Sequence, residues 1–243
     1  MVSFIESGLA TRVEYEASGL ATRGASTGSV IIRGMPVSAN VIPAVLLAKT
    51  LGCGDMEMMN IMEGEHMTPE MLKLNPFHQM PNMSDGDFAL AESSAIVRYI
   101  ANKYGPEMHG GADLQKKATQ DWAIEWCSTN FRADFLNLWY PTAGFGLPPE
   151  DQAVANAKSL ENLGIFASHF LASGKFIGGA STPSIADYIC ATKFHMCAHP
   201  AVKARSGFEM PARILQYTSD FLAACPARDF LKMHDGFLAS KME

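Results

Sequence analysis

Glu92 and Ser93 are the adjacent pair best placed to do chemistry together. After Phe88-Ala89-Leu90, the apolar residues Ala95, Ile96, Tyr99 and Ile100 fall at helical spacing, so the pair stands at a helix N-terminus. A carboxylate, a hydroxyl and unpaired backbone N–H groups at such an end can receive the ammonium and the carboxylate of a zwitterion. The competing reading is purely structural: Ser93 caps the helix and Glu92 answers its dipole. Just upstream, Asn75-Pro76 and Met80-Pro81 bracket a short polar loop, forced out of helix by its prolines. Ser84-Asp85-Gly86-Asp87 then reads as the turn of a hairpin of two short strands.

Other constellations point to less. His195 and His199 would share a helix face, but Cys197 points elsewhere and Pro200 ends the segment, so no metal site is expected. Gly24-Ala25-Ser26-Thr27-Gly28 has the form of a nucleophile elbow. A polar tract precedes it and the strand-like Val30-Ile31-Ile32 follows, the reverse of the strand-then-helix setting that motif needs. Gly52-x-Gly54 lacks a third glycine and follows a helix, so it is no dinucleotide loop.

The elements that must position these residues are legible in order. Residues 1–28 are rich in Ser, Ala, Thr and Gly and repeat SGLATR at Ser7–Arg12 and Ser18–Arg23, which reads as a low-complexity extension. From residue 29 to 105 the pattern is β-α-β-α-β-β-α, an α/β unit with a mixed sheet. It runs from a buried strand Ser29–Arg33, through a helix ending at Gly52 and a strand Met56–Ile61, to a short helix Pro69–Leu74, then the hairpin and its helix. Gly105-Pro106 and Gly110-Gly111 mark a linker at 106–111. Residues 112–243 read as all-helical: a long pattern Leu114–Tyr140 closed by Pro141, a helix from Pro148-Pro149 to about Ala172, and stretches Glu209–Ala224 and Ala227–Phe237. Within this part Ser184 and Asp187 form a capping box, serine at the cap and acid three residues on.

Composition narrows the function classes. With a net charge of −6 and no Lys/Arg cluster, nucleic-acid and anionic-membrane binding are not expected. The longest apolar run, Val41–Ala48, is too short to span a bilayer. Five scattered cysteines, odd in number and never in a C-x-x-C pair, point to free thiols in a reducing compartment. A cytoplasmic location is therefore expected, with organelle import through the N-terminal extension left open.

The β-α-β-α-β-β-α unit followed by a helical domain resembles the soluble glutathione transferases, most closely the delta and theta serine-type classes. The resemblance rests on Met35-Pro36-Val37-Ser38-Ala39, Gly64-Glu65-His66-Met67-Thr68-Pro69-Glu70, Asn75-Pro76-Phe77-His78-Gln79-Met80-Pro81 and Glu92-Ser93, in family order and spacing, with the Ser184–Asp187 box in the second domain. It implies a thioredoxin-like first domain and an electrophile pocket formed with the helical one. Ser38 would hold the glutathione sulfur as thiolate, which matters because a thiol with a pKa of about 8.5 is mostly protonated at neutral pH. Met80 would pair its backbone with the cysteinyl part of the peptide, with Pro81 cis. Glu92 would take the γ-glutamyl ammonium, Ser93 its carboxylate, and His66 and His78 the glycine end. Phe131 and Phe135 would line the electrophile pocket.

Glutathione is the implied co-substrate, with no metal, and a homodimer serving detoxification is the implied assembly. Two departures stand out: Val37 replaces a common Gly before the serine, and Ser94 replaces a common Arg after Glu-Ser. With the N-terminal extension, they keep open a catalytically weak or inactive glutathione-transferase-like scaffold or subunit of a larger assembly. A glutathione-dependent isomerase, peroxidase or dehalogenase on the same fold is also open, because these differ at the electrophile pocket and not at the thiol site.

Overall fold

The computed structural model describes residues 29–242; the SGLATR repeat and the Gly24–Gly28 motif lie outside the described residues. Val30–Gly34 forms β1, Ile42–Thr50 α1, Gly54–Met58 β2, Pro69–Leu74 α2, Asn82–Asp85 β3, Phe88–Ala91 β4 and Ser93–Tyr104 α3. The strands order as β2-β1-β3-β4. β1 runs parallel to β2 and antiparallel to β3, and β3 and β4 form the expected hairpin, giving a thioredoxin-like mixed sheet.

The apolar run that is too short for a membrane becomes α1, in which Ile42 to Ala48 are all buried. A helix apolar on every side must be covered on every side, and α1 packs against the sheet, α3 and a helix of the second domain. Gly52, at φ +64°, lets the chain leave it. β1 alternates instead of being wholly buried: Ile32 is fully buried but Ile31 is 39% exposed. β2 starts and stops earlier than expected, because its pairing with β1 begins at Gly54, and Asn60 then caps a 3-10 turn over Ile61–Glu63.

Asp85 ties the hairpin to α3. It accepts hydrogen bonds from Tyr99 (2.8 Å), Tyr104 (2.7 Å) and Lys103 (2.6 Å), and from the Ser29 hydroxyl. Burial pushes its carboxyl up, but these donors outweigh it and hold the group well below the usual carboxylate range.

After a 3-10 segment at Pro106–His109, the described remainder is helical: Leu114–Thr129 (α4), Phe131–Ala143 (α5), Gln152–Phe170 (α6), Ile185–Cys197 (α7), Pro200–Ser206 (α8), Ala212–Ala224 (α9) and Lys232–Ala239 (α10). Four expectations are corrected here. The pattern from Leu114 is two helices, parted at Asn130. Pro141 lies inside α5 and does not close it. Its missing N–H leaves the Asn137 carbonyl without a helical donor, and Arg205 supplies one from Nη2 at 3.0 Å. α6 begins beyond Pro148-Pro149, where Asp151 accepts from the N–H groups of Ala153 and Val154. Pro200 opens α8, with His199 as its cap.

The capping box at the start of α7 is present. The buried Asp187 carboxylate accepts from Ser184 N (2.7 Å), Ser184 Oγ (2.7 Å), Ile177 N (3.0 Å) and Tyr217 OH (2.9 Å). α7 in turn packs on α1, and Tyr188 donates to Thr50 Oγ1 at 2.9 Å. No described helix is long and apolar enough to cross a membrane.

Candidate active site

Ser38 sits in the turn between β1 and α1. Its N–H donates to Met35 O, and its carbonyl accepts from Val41 and Ile42 at 3.0 Å each, starting the helical turn. The hydroxyl accepts only a long contact, 3.4 Å from Asn40 N, so capping scarcely occupies it. Gly34, just upstream, permits the close approach that shapes this corner: a Cβ there would meet Val41 Cγ2 at 2.4 Å and Met80 Cβ at 3.5 Å. Val37, the first departure from the family pattern, is buried here and lines the same cleft as Ser38.

The Asn75–Pro81 loop is braced by Asn75, whose Nδ2 donates to Gln79 O (2.8 Å) while its Oδ1 accepts from Phe77 N (3.0 Å). The Met80–Pro81 peptide is cis. Among the described residues, neither the N–H nor the C=O of Met80 pairs with another backbone group, so an edge is open beside Ser38.

Glu92 is the cap residue of α3, at φ 69° and ψ 116°, and its side chain makes no capping hydrogen bond. This is the sparsely populated region where strain of order 1–3 kcal/mol accumulates at binding sites. Ser93 is the first residue of the helix and not its cap. Ser93 therefore does not cap this helix, and the Glu92 side chain makes no capping hydrogen bond. Ser94, the second departure from the family pattern, lines the cleft beside Ser128 of α4, their hydroxyls 3.5 Å apart. The opening N–H groups of α3 have no intrahelical acceptors, as at any helix start.

These pieces meet in one cleft of about 360 Å³ between the two domains. Ser38, Met80, Glu92 and Ser93 line one side; Phe135, Leu136, Trp139 and Tyr140 of α5, with Phe145, line the other. A smaller polar recess joins it at Asn40, Met80, Glu92 and Ser93, and extends to Asn75, Gln79 and Pro81. Arg132 and Lys193 also line the cleft, and among the described residues neither has a carboxylate partner.

Two groups of expected residues are placed elsewhere. Phe131 is fully buried in the helical core, edge-on to Phe194 at 4.9 Å and stacked on Trp126 at 6.0 Å, so it does not line the cleft. It and Phe135 share a face of α5, but the Phe131 end is covered by α7. His66, in a 3-10 turn, and His78, exposed at φ 58°, line neither the cleft nor the recess.

Sequence reading missed Asn40, Gln79, Arg132, Trp139, Tyr140, Phe145 and Lys193. The last five lie in the second domain, where only the fold brings them opposite Ser38. It also missed the true partners of His195. That ring is 3.0 Å from Asp235, which His234 also contacts at 2.9 Å, while His199 accepts from Ala201 N and Cys197 is buried.

The comparisons with known proteins agree with this fold. The family model for the glutathione S-transferase N-terminal domain matches residues 36–102. Mouse glutathione S-transferase theta-1 is 31% identical over 193 residues, covering 76% of this chain and 79% of that protein. Two solved structures show the fold. A delta-class glutathione transferase from Nilaparvata lugens has a TM-score of 0.73 at 24% identity, over 87% of this chain and 99% of that one. A glutathione S-transferase-I bound with lactoylglutathione has a TM-score of 0.69 at 22% identity, over 86% of this chain and 100% of that one. Taken with the fold and the cleft, the theta-1 relationship shows that this chain belongs to the glutathione S-transferase family.

Proposed function

We propose that this glutathione S-transferase activates the glutathione thiol with the Ser38 hydroxyl and adds it to hydrophobic electrophiles held against α5. The observation that carries the reading is the single cleft, lined by Ser38, Met80, Glu92 and Ser93 on one side and by an aromatic wall on the other. A thiolate beside Ser38 gains a hydroxyl donor and the positive end of α1, both of which favour the anionic nucleophile. The open backbone of Met80 suits the cysteinyl amide of the peptide. The uncapped Glu92 carboxylate and the start of α3 suit the γ-glutamyl zwitterion. Arg132 and Lys193, without carboxylate partners among the described residues, suit an electrophile whose leaving group departs with negative charge.

The peptide's glycine end is left to Asn75, Gln79 and the recess they line, in place of His66 and His78. A reducing, cytoplasmic setting belongs to the same proposal and is supported by five buried free cysteines. A homodimer also belongs to it, supported by the exposed Phe77 and Phe88 of the first domain.

Steady-state kinetics of Ser38→Ala test this function. A fall in kcat of about 100-fold, with the KM for glutathione within about threefold of wild type, is the expected result for a group that acts on the thiolate. Unchanged turnover excludes serine activation.

A further inference from the structure

The cluster of His195, His234 and Asp235 lies outside the cleft yet reaches it through Trp139. Trp139 Nε1 is 2.9 Å from His234 Nε2, and His234 Nδ1 is 2.9 Å from Asp235 Oδ1. An indole N–H can only donate. His234 Nε2 must therefore be the acceptor, and its hydrogen must sit on Nδ1, where it donates to Asp235. The imidazole is fully buried, and both of its nitrogens are committed.

A cation held by the three side chains would need a bare Nδ1. The hydrogen would then move to Nε2, directly against the indole N–H. The arrangement orients a ring; it does not offer a ligand set. His195 completes the anchorage, its Nε2 3.0 Å from the same Asp235 oxygen.

Trp139 lines the cleft although only 2% of it is exposed, so its ring forms part of the cleft's floor. It stacks on Phe135 at 5.3 Å and lies 5.8 Å from Phe145. α10 holds this wall at a second point, through Phe237 stacked on Phe145 at 6.1 Å.

We infer that Asp235, His234 and Trp139 form a hydrogen-bonded chain through which α10 sets the shape of the electrophile wall. His234 is a positioning residue for electrophile specificity. The inference rests on the electrophile side of the proposed function, but its spectroscopic test does not depend on turnover.

The near-UV circular dichroism of wild type minus Trp139→Phe isolates the signal of this indole. His234→Phe keeps a ring of similar volume but offers Trp139 no acceptor. His234→Gln restores an acceptor oxygen at the position of Nε2. His234→Phe is expected to lose the Trp139 signal while the far-UV spectrum is kept. It should raise the KM for a bulky aromatic electrophile about tenfold, or ~1.4 kcal/mol, with the glutathione KM within about twofold. His234→Gln should recover most of both effects.

If His234→Phe does not fold, Asp235→Asn carries the same readouts, since a neutral amide holds the His234 tautomer less firmly. An unchanged indole signal with unchanged electrophile KM overturns the inference. So does a uniform change in both KM values that His234→Gln fails to repair, which would mark a merely structural role. Calorimetric titration with zinc that finds one site, lost in His195→Ala, would make the cluster a metal centre and overturn it too. Absence of any glutathione turnover in the wild type would defeat the proposed function while leaving the indole comparison to decide this chain.

Discussion

Replacing Asp187 by alanine should be among the most damaging single changes in the helical domain, and its cost can be worked from four hydrogen bonds. The carboxylate accepts from Ile177 N, Ser184 N, Ser184 Oγ and Tyr217 OH. The Ser184 hydroxyl can rotate to another acceptor. The N–H groups of Ile177 and Ser184 and the Tyr217 hydroxyl would be stranded in buried surroundings. Each stranded group costs about 1–3 kcal/mol, and the lower end applies because removing a buried carboxylate also removes its own desolvation penalty; about 3–5 kcal/mol in all is expected.

Urea unfolding with a slope of about 3 kcal/mol per M would show a midpoint lower by about 1–1.7 M. Tyr217 supplies an internal control. Tyr217→Phe alone should cost about 1 kcal/mol, but in the Asp187→Ala background it should cost nothing or stabilise, because the stranded hydroxyl is gone. A midpoint shift below about 0.3 M, or a Tyr217→Phe cost equal in both backgrounds, would refute the reasoning.

Glu92→Gln should raise the KM for glutathione about tenfold, ~1.4 kcal/mol, with kcat within about twofold, because a charge-assisted contact to the ammonium is equal in ground and transition states. Steady-state kinetics at fixed electrophile check this. Asp85 should make the fold acid-sensitive. Its folded carboxyl lies below the ordinary range, so the stability it contributes is complete above that range and is lost as the pH falls below about 4. Urea midpoints followed downward in pH should fall less steeply in Asp85→Asn than in wild type. Phe131→Ala should destabilise the fold by about 3–5 kcal/mol. Phe135→Ala, also largely buried, should destabilise as well but should in addition alter the KM for the electrophile, and kinetics on the two variants separate core from wall.

The parts of the molecule written in neighbouring residues were readable in the chain. The hairpin turn at Ser84–Asp87, the loop ending in Met80-Pro81, the helix start at Glu92-Ser93 and the Ser184–Asp187 box each depend on groups a few residues apart. What depended on distant partners was not. Pro141 stays inside α5 because Arg205, from α8, supplies the donor that its i−4 carbonyl lacks. Phe131 and Phe135 have the same spacing pattern, and only the packing of α7 assigns one to core and the other to cleft. His234 meets Trp139 across 95 residues, which no local period can announce. His66 and His78 stand in family-like segments, yet neither lines the cleft that collects the other site residues.

Serine activation is tested most directly on the bound thiol itself. Thiolate absorbance of the glutathione-saturated protein, titrated against pH, can be compared between wild type and Ser38→Ala. A hydroxyl donor to a charged acceptor contributes about 1.5–3 kcal/mol and a helix N-terminus about 0.3–1 kcal/mol, so the bound thiol should titrate at about pH 6–7 where the free thiol titrates near 8.5. Ser38→Ala should return most of that difference. A bound thiol that titrates like the free one, or a lowered value that Ser38→Ala leaves in place, would contradict it.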